Sequence, residues 1–330
     1  MSSRPVSPWD RFFFEPQSTA AMTLVRVGWG AAAAIWALTL LPDIDPFFTE
    51  GALLYDRDPR DGAWDVLPHL GWQHAALATC LLLLVSSITT MVGLRTRLSA
   101  LVAVLCLVVL QRANSLIFNS GDLLLRLVGI AVVLSPCGLL WSVDARIDRS
   151  RGRVRELRRA RYGMRLLQLE LAVGYLVSAW AKSRGDTWHE GTALAWSLRI
   201  EDLQRFVAPD WLFDQTVLLN LLTWATLAFE ATFVVFVWPR RTRLWVLGAG
   251  VLLHLGIDVF LDIGFFSIAI FLAYLAFLPE DIADRVVGRF DRRVSGPAGG
   301  EPSPSPPDPA SPAAPPPLAD RDEGGVRRRS

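Results

Sequence analysis

The sequence is poor in the residues that build metal sites and disulfide frameworks. It holds three cysteines and four histidines in 330 residues, and the cysteines show neither a CxxC pair nor zinc-type spacing. GxxxxGKS, GxGxxG and HExxH signatures do not occur, which argues against a nucleotide-driven pump and a metalloprotease. Cys80, Cys106 and Cys137 fall inside apolar segments, so we expect buried small hydrophobic side chains there and no metal site.

Net charge is nearly absent as well, since 33 basic residues stand against 32 acidic ones and leave +1 at neutral pH. A nucleic-acid-binding protein typically carries one continuous basic surface. Here the charges are divided among the connecting segments. We therefore expect no DNA or RNA partner.

Long apolar stretches, in contrast, fill most of residues 20–278. A helix needs roughly 20 mainly apolar residues to cross a bilayer, and runs of this length without two-residue alternation favour helices over a β-barrel. The sequence predicts an all-α fold, a polytopic transmembrane helical bundle of about eight spans, the eighth being the shortest. The predicted spans are 20–41, 74–94, 99–118, 121–141, 162–182, 215–238, 242–262 and 264–278.

The connections between these spans predict the orientation. Eight arginines lie in residues 146–161, between spans four and five, and the positive-inside rule places such a connection in the cytoplasm. Further arginines near positions 95 and 240 lie in connections that eight spans would put on the same side. The acid-leaning connections 42–73 and 183–214 then lie outside. We expect a multi-pass cell-membrane protein with both termini in the cytoplasm.

Composition divides the rest of the chain. Residues 1–19 are predicted to be a cytoplasmic N-terminal segment, 20–278 the transmembrane domain, and 279–295 a charged cytoplasmic segment able to form a short interfacial helix. Pro, Ser, Ala and Gly dominate residues 296–330, and a segment of this kind cannot bury a core. We expect a disordered, proline-rich tail, with a ligand for an SH3-type domain as the alternative.

Ionisable groups at membrane depth are costly and usually face the interior of a bundle. On span five, Gln168, Tyr175, Ser178 and Lys182 fall within roughly 40° of one direction at about 100° per residue. They form a polar stripe that ends in Lys182. A functional stripe predicts a buried lysine, whereas a structural role predicts that the lysine snorkels to the headgroups.

Two further polar sets fall near the same predicted outer face. His254 and Asp258 are one turn apart on span seven, so the carboxylate can fix the tautomer of a histidine that accepts a proton. A hydrogen-bonded histidine that joins two helices is the alternative. At the start of span four, next to Asn119, Asp122 can cap the helix and pair with Arg126. These sets predict an outward-facing polar cavity.

Four patches of the sequence resemble the HTTM family, the horizontally transferred transmembrane domain shared with vitamin K-dependent gamma-carboxylase. Their order and spacing across residues 20–278 carry the resemblance. The patches are TLVRVGWG at 23–30, NSLIFNSGDLLLR at 114–126, AKSRGDTWHEGTAL at 181–194, and His254 followed by IGFF at 263–266.

The resemblance implies roles for the polar residues. In the carboxylase, a lysine shortly before a tryptophan and a glycine deprotonates vitamin K hydroquinone; the oxygenated quinol removes a proton from glutamate, and carbon dioxide adds to the carbanion. Lys182 occupies the matching place and is expected to act as a base in its uncharged form, with His254 and Asp258 as proton acceptor or orienter. The candidate substrate contacts are the polar residues of the predicted cavity and the nearby tryptophan, namely Asn119, Asp122, Arg126, Tyr175, Ser178 and Trp188. For Trp188, interfacial anchoring is the alternative.

The sequence also departs from the carboxylase. One lysine stands where the carboxylase has an adjacent pair, the 119–122 turn lacks the histidine found in that neighbourhood, and no large lumenal domain follows the bundle. We therefore do not expect this chain alone to carboxylate protein glutamates.

Two hypotheses about function stay open. One is an enzyme with quinol-linked chemistry, using a quinol such as menaquinol or vitamin K hydroquinone. The other is a non-catalytic membrane protein that binds, transports or gives immunity to a peptide or lipid. The expected partners are the lipid bilayer and a quinone or peptide substrate.

Overall fold

A computed structural model describes residues 7–48, 67, 72–114, 117, 119–153 and 155–295. Residues 1–291 form one compact unit and 292–330 a second, of which 292–295 are described as the end of the last helix. The predicted disordered tail and most of the predicted 42–73 connection lie outside the described residues.

The described part is mostly helical. The helices are α1 (Pro8–Phe14), α2 (Ala20–Leu40), α3 (Ile44–Phe48), α4 (Trp72–Val92), α5 (Thr96–Ala113), α6 (Ser120–Leu134), α7 (Val143–Ser150), α8 (Tyr162–Lys182), α9 (Asp186–His189), α10 (Ala193–Ser197), α11 (Asp210–Phe213), α12 (Thr216–Phe236), α13 (Arg240–Phe260), α14 (Phe266–Leu275) and α15 (Glu280–Ser295). The strands are β1 (Pro16–Ser18) and β2 (Arg158–Ala160).

Each predicted span contains a helix, but the helices differ in length. Within the described residues, five helical segments are long and apolar enough to cross a membrane, or six if α14 and α15, bent by 102°, form one broken span. The five correspond to α2 extended through α3, α4, α5, α12 and α13. A multi-pass membrane bundle is therefore supported, while the count of eight spans stays a prediction.

The fourth predicted span is shorter than expected for a physical reason. Helix α6 has 15 residues and ends before Ser135, whose backbone is extended. Pro136 follows, and the residue before a proline is disfavoured in the helical region. The apolar run that continues to position 141 is therefore not helical throughout, and buried Cys137 lies after the helix.

Helix α2 lies in the hydrophobic core and contacts α4, α6 and α14. A Cβ atom on Gly30 would lie 2.7 Å from the backbone nitrogen of Met91, so the glycine permits the close approach of α2 and α4. Trp29 is buried and donates to the carbonyl oxygen of Leu125 at 2.7 Å. These contacts fix the helices that surround the polar residues.

One end of the bundle, which we call the arginine-rich end, consists of residues 93–97, 135–161 and 237–243. There β1 and β2 form a short antiparallel ladder, which the all-α prediction did not include. Arg161 donates to Glu15 at 2.6 Å, and the Arg165 guanidinium lies 4.4 Å from the centroid of the Phe12 ring. The N-terminal segment is therefore attached to α8.

The opposite end, which we call the tryptophan end, consists of residues 183–215. Its chain lies against the ends of α12 and α13, where Trp224 donates to His189 at 3.3 Å and Asp262 donates through its backbone to Leu203 at 2.7 Å. The short helices α9, α10 and α11 form within this connection. All three contact α12.

Candidate functional site

Lys182, the last residue of α8, points to a carboxylate within the bundle. Its ammonium forms an ion pair with Glu230 of α12, and its Nζ atom lies 5.0 Å from the centroid of the Trp188 ring, within the range of a cation–π contact. The lysine side chain is 27% exposed and that of Glu230 is 8% exposed. This geometry differs from a lysine that extends freely to the headgroups.

Sequence reasoning assigned no carboxylate partner to Lys182. Glu230 is the one acidic residue of α12, and the rule that intramembrane charges face the bundle interior would have identified it. Its Oε2 atom is buried and has no hydrogen-bond partner among the described residues. One carboxylate oxygen of Glu230 therefore contacts the Lys182 ammonium, and the other has no hydrogen-bond donor among the described residues.

A second cluster lies deeper along the same face of α8. The Tyr175 hydroxyl lies 2.7 Å from His254 Nε2 and 2.5 Å from the Tyr274 hydroxyl, and all three residues are buried. Phe233 packs against both tyrosine rings. Tyr175 precedes Lys182 by seven residues, which is about 10 Å of helix. Tyr274 was missed from the sequence because it lies in a short apolar helix without a polar pattern.

The predicted pairing of His254 with Asp258 is wrong. The Asp258 carboxylate accepts a hydrogen bond from Ser267 Oγ at 2.8 Å, and His254 Nε2 faces Tyr175. Among the described residues, His254 Nδ1 has no hydrogen-bond partner. The i, i+4 spacing places both side chains on one face of α13, but neighbouring α8 and α14 supply nearer partners.

Asn119 and Asp122 form the predicted helix cap at the start of α6. Asn119 Oδ1 accepts from the backbone of Asp122 at 3.1 Å, and Asp122 Oδ2 accepts from the backbone of Asn119 at 3.0 Å. Asp122 Oδ1 accepts from Trp36 Nε1 at 2.7 Å. Because these bonds use both carboxylate oxygens, they give Asp122 a structural role, and its predicted substrate contact remains untested.

The cap lies close to the beginning of α14. Gly264 has φ +60, a conformation that glycine adopts readily, and a Cβ atom there would lie 3.4 Å from Asn119 Nδ2. The NSLIFNSGDLLLR and IGFF patches of the sequence therefore meet in space. Arg126 is half-buried one turn further along α6.

The structure thus gathers the predicted residues into separate groups. Lys182 and Trp188 are in contact, with Ser178 half-buried one turn earlier on α8. Tyr175 and His254 form the deeper cluster, while Asp258 and the 119–122 cap lie toward α14. Among the described residues, no group of three or more His, Cys, Asp or Glu side chains is placed to hold a metal ion.

Beyond the end of α13, Asp262 has a separate partner. Arg205 donates to its carboxylate at 3.0 Å, and this hydrogen bond lowers the pKa of Asp262 below its ordinary value. The ion pair joins the 183–215 connection to the residues that follow α13.

A cavity of about 520 Å³ lies between α12 and α13, at the tryptophan end. Its lining is apolar except for Thr226, so this cavity differs from the polar one that the sequence predicts. Phe229 lines it and also makes an edge-on contact with the Tyr175 ring, at 5.7 Å between centroids. The Tyr175 cluster therefore borders the apolar volume through the Phe229 ring.

The long apolar helices and their internal ion pair define the chain as a multi-pass α-helical membrane protein with polar groups in its interior. The chain belongs to the HTTM domain family, whose profile matches residues 14–281. No curated protein and no solved structure matches it significantly.

Proposed function

We propose that this HTTM protein binds a quinol-like amphipathic molecule, with the apolar part in the α12–α13 cavity and the head group toward Tyr175 and Lys182. The proposal rests on residues of α12 that line the cavity and also lie next to the polar groups. Phe229 lines the cavity and contacts Tyr175, and Thr226 lines it one helical turn before Glu230. An apolar volume that adjoins a few polar groups is typical of small-molecule sites.

Menaquinol and vitamin K hydroquinone have the chemistry that such a site would hold. A quinol supplies a weakly acidic hydroxyl group on a ring that can be oxidised. Its isoprenoid chain matches the apolar lining, and the cavity of about 520 Å³ falls within the range of roughly 300 to 1,000 Å³ common for ligand pockets.

In this proposal Lys182 is the base that accepts the proton of the hydroxyl group at Nζ. The amine must first be uncharged, and Glu230 is placed to take its proton because the two side chains are in contact. Tyr175 and His254 would orient the head group through their hydrogen bonds.

A second function, non-catalytic binding or transport of a lipid or peptide, is favoured by the same ion pair. If Lys182 stays charged on Glu230, it holds α8 to α12 and is not a base. Arginine also keeps a charge and can reach a carboxylate. This role therefore predicts that Lys182→Arg is tolerated.

The purified full chain, assayed for consumption of menaquinol under air, separates the two functions. We expect Lys182→Arg to abolish consumption while leaving expression unchanged, since arginine does not release its proton near neutral pH. Arg184→Lys is the matched control, because Arg184 is an exposed cation two residues away. Equal rates for wild type and Lys182→Arg would remove the base assignment and favour binding or transport.

Lys182 is the one lysine of the chain, which provides a second readout. An amine-directed reagent modifies this side chain and the α-amino group. Bound quinone should slow modification of Lys182 and leave the α-amino group unaffected. Equal modification with and without quinone would place the head group elsewhere.

A further inference from the structure

A second cavity, of about 480 Å³, lies at the arginine-rich end of the bundle. It is formed by the turn between α4 and α5, the segment after α6, the start of α7 and the chain from Arg155 into β2. Four arginines line it, and none of them belongs to the Lys182 cluster or the α12–α13 cavity. The lining arginines are Arg95, Arg97, Arg155 and Arg159.

The acidic groups at this cavity leave an excess of positive charge. Asp144 lines it too, but its carboxylate accepts from the backbone nitrogens of Arg95 at 2.8 Å and Thr96 at 3.0 Å and so caps α5. Arg155 forms an ion pair with Asp148, and Arg159 forms one with Glu156 at 3.9 Å. Among the described residues, neither Arg95 nor Arg97 forms an ion pair with a carboxylate.

One lining residue, Ser135, is 1% exposed. Its Oγ atom has no hydrogen-bond partner among the described residues and lies so close to Gly163 of α8 that an added Cβ atom there would be 2.3 Å away. The hydroxyl group is therefore packed against the helix, and the arginines are the groups that attract an anion.

The position of the cavity indicates which kind of anion it binds. It lies where α4 and α6 end and α5 begins, which is the level of lipid phosphates for helices that cross a bilayer. Leu98 lines its edge and is 54% exposed, so an apolar chain can continue along α5. Arginine binds phosphate strongly through charge-assisted hydrogen bonds, and basic pockets between membrane helices bind anionic headgroups.

We propose that this cavity binds the phosphate group of an anionic membrane lipid, with phosphatidylglycerol as the simplest example. Its acyl chains would lie against α5. The inference is independent of the function proposed for Lys182, because the two sites share no residue.

The test is lipid binding by the full chain, purified in a neutral detergent and measured by native mass spectrometry with phosphatidylglycerol or phosphatidylcholine. Wild type should retain phosphatidylglycerol in preference to phosphatidylcholine. The double variant Arg95→Gln/Arg97→Gln should bind it about 30-fold more weakly, since each arginine near a headgroup contributes about a factor of five. Arg240→Gln/Arg241→Gln is the matched control, because it removes equal charge from exposed arginines outside the cavity.

The outcomes separate the alternatives. An equal loss in both double variants would show general attraction to surface charge and overturn the site. Inorganic phosphate that displaces the lipid at micromolar concentration would assign the cavity to a soluble anion instead. If the Arg95/Arg97 double variant does not fold, the proposal is still tested by the wild type, through its binding of the two lipids, and by Arg97→Lys. Equal retention of both lipids by wild type would contradict the proposal.

Discussion

The ion pair between α8 and α12 predicts a strong and asymmetric response to mutation. Replacing Lys182 with methionine keeps the apolar stem but leaves the Glu230 carboxylate without its cation. Because that side chain is 8% exposed, we expect the free energy of unfolding to fall by about 3 kcal/mol, the usual result of orphaning one member of a buried pair.

The reverse substitution should cost less. Glu230→Gln removes the carboxylate and leaves Lys182, which is 27% exposed and lies at the end of its helix, so the ammonium can turn toward water. We expect a loss of about 1 kcal/mol. The double variant Lys182→Met/Glu230→Gln should then recover about 2 kcal/mol relative to the sum of the single variants, because neither ion remains.

Reversible unfolding in mixed micelles of sodium dodecyl sulfate, followed by fluorescence of the 13 tryptophans, measures these free energies. Arg184→Met is the control, since this cation is exposed and contacts the Trp180 ring at 4.9 Å; we expect a change below about 0.5 kcal/mol. Additive single losses of equal size would refute the reasoning, because they would show no coupling between Lys182 and Glu230.

Three further predictions concern the rest of the molecule. Trp36→Phe should destabilise the chain by about 1 to 3 kcal/mol in the same unfolding assay, because it leaves the Oδ1 atom of buried Asp122 without its donor; an unchanged stability would mean that the bond contributes nothing. Ending the chain at Gly296 should leave monodispersity and stability nearly unchanged, since the proline-rich composition that follows cannot bury a core; a large loss would show that the tail packs on the bundle. Single cysteines at Ser150 and Ala63, in a background free of native cysteine, should react oppositely with an impermeant maleimide in whole cells, and labelling of position 150 from outside would reverse the predicted topology.

Long apolar stretches predicted much of the fold because membrane helices satisfy their own backbone hydrogen bonds. The predicted span 162–182 and helix α8 share the same bounds, and the predicted first span and α2 differ by one residue. The fourth span was overestimated because hydropathy continues past Pro136, whereas the helix does not. The β1–β2 ladder was missed because three-residue strands carry no periodic signal.

The candidate site was harder to predict because helical spacing describes one helix at a time. The stripe placed Tyr175 and Lys182 on one face of α8, but their partners come from α12, α13 and α14 and divide them into two groups. Asp258 illustrates the same limit. Its spacing along α13 predicted His254 as its partner, but in the packed structure its carboxylate accepts a hydrogen bond from Ser267. Which helix lies against a polar stripe depends on tertiary packing, which the pattern does not contain.

Binding of a quinone to the α12–α13 cavity is the most direct test of the proposed function. Gly256 lines the cavity, and neither Gly256 nor Gly248, which does not line it, has an atom within 4 Å of an added Cβ. Gly256→Phe should therefore fill the cavity, whereas Gly248→Phe makes the same change on the same helix outside it.

The measurement is the Kd of a menaquinone analogue for the purified wild type and both variants, from quenching of tryptophan fluorescence. The proposal predicts that Gly256→Phe raises the Kd about tenfold or more, equivalent to at least about 1.4 kcal/mol, while Gly248→Phe leaves it unchanged. Equal affinity of all three proteins would contradict a quinone in this cavity.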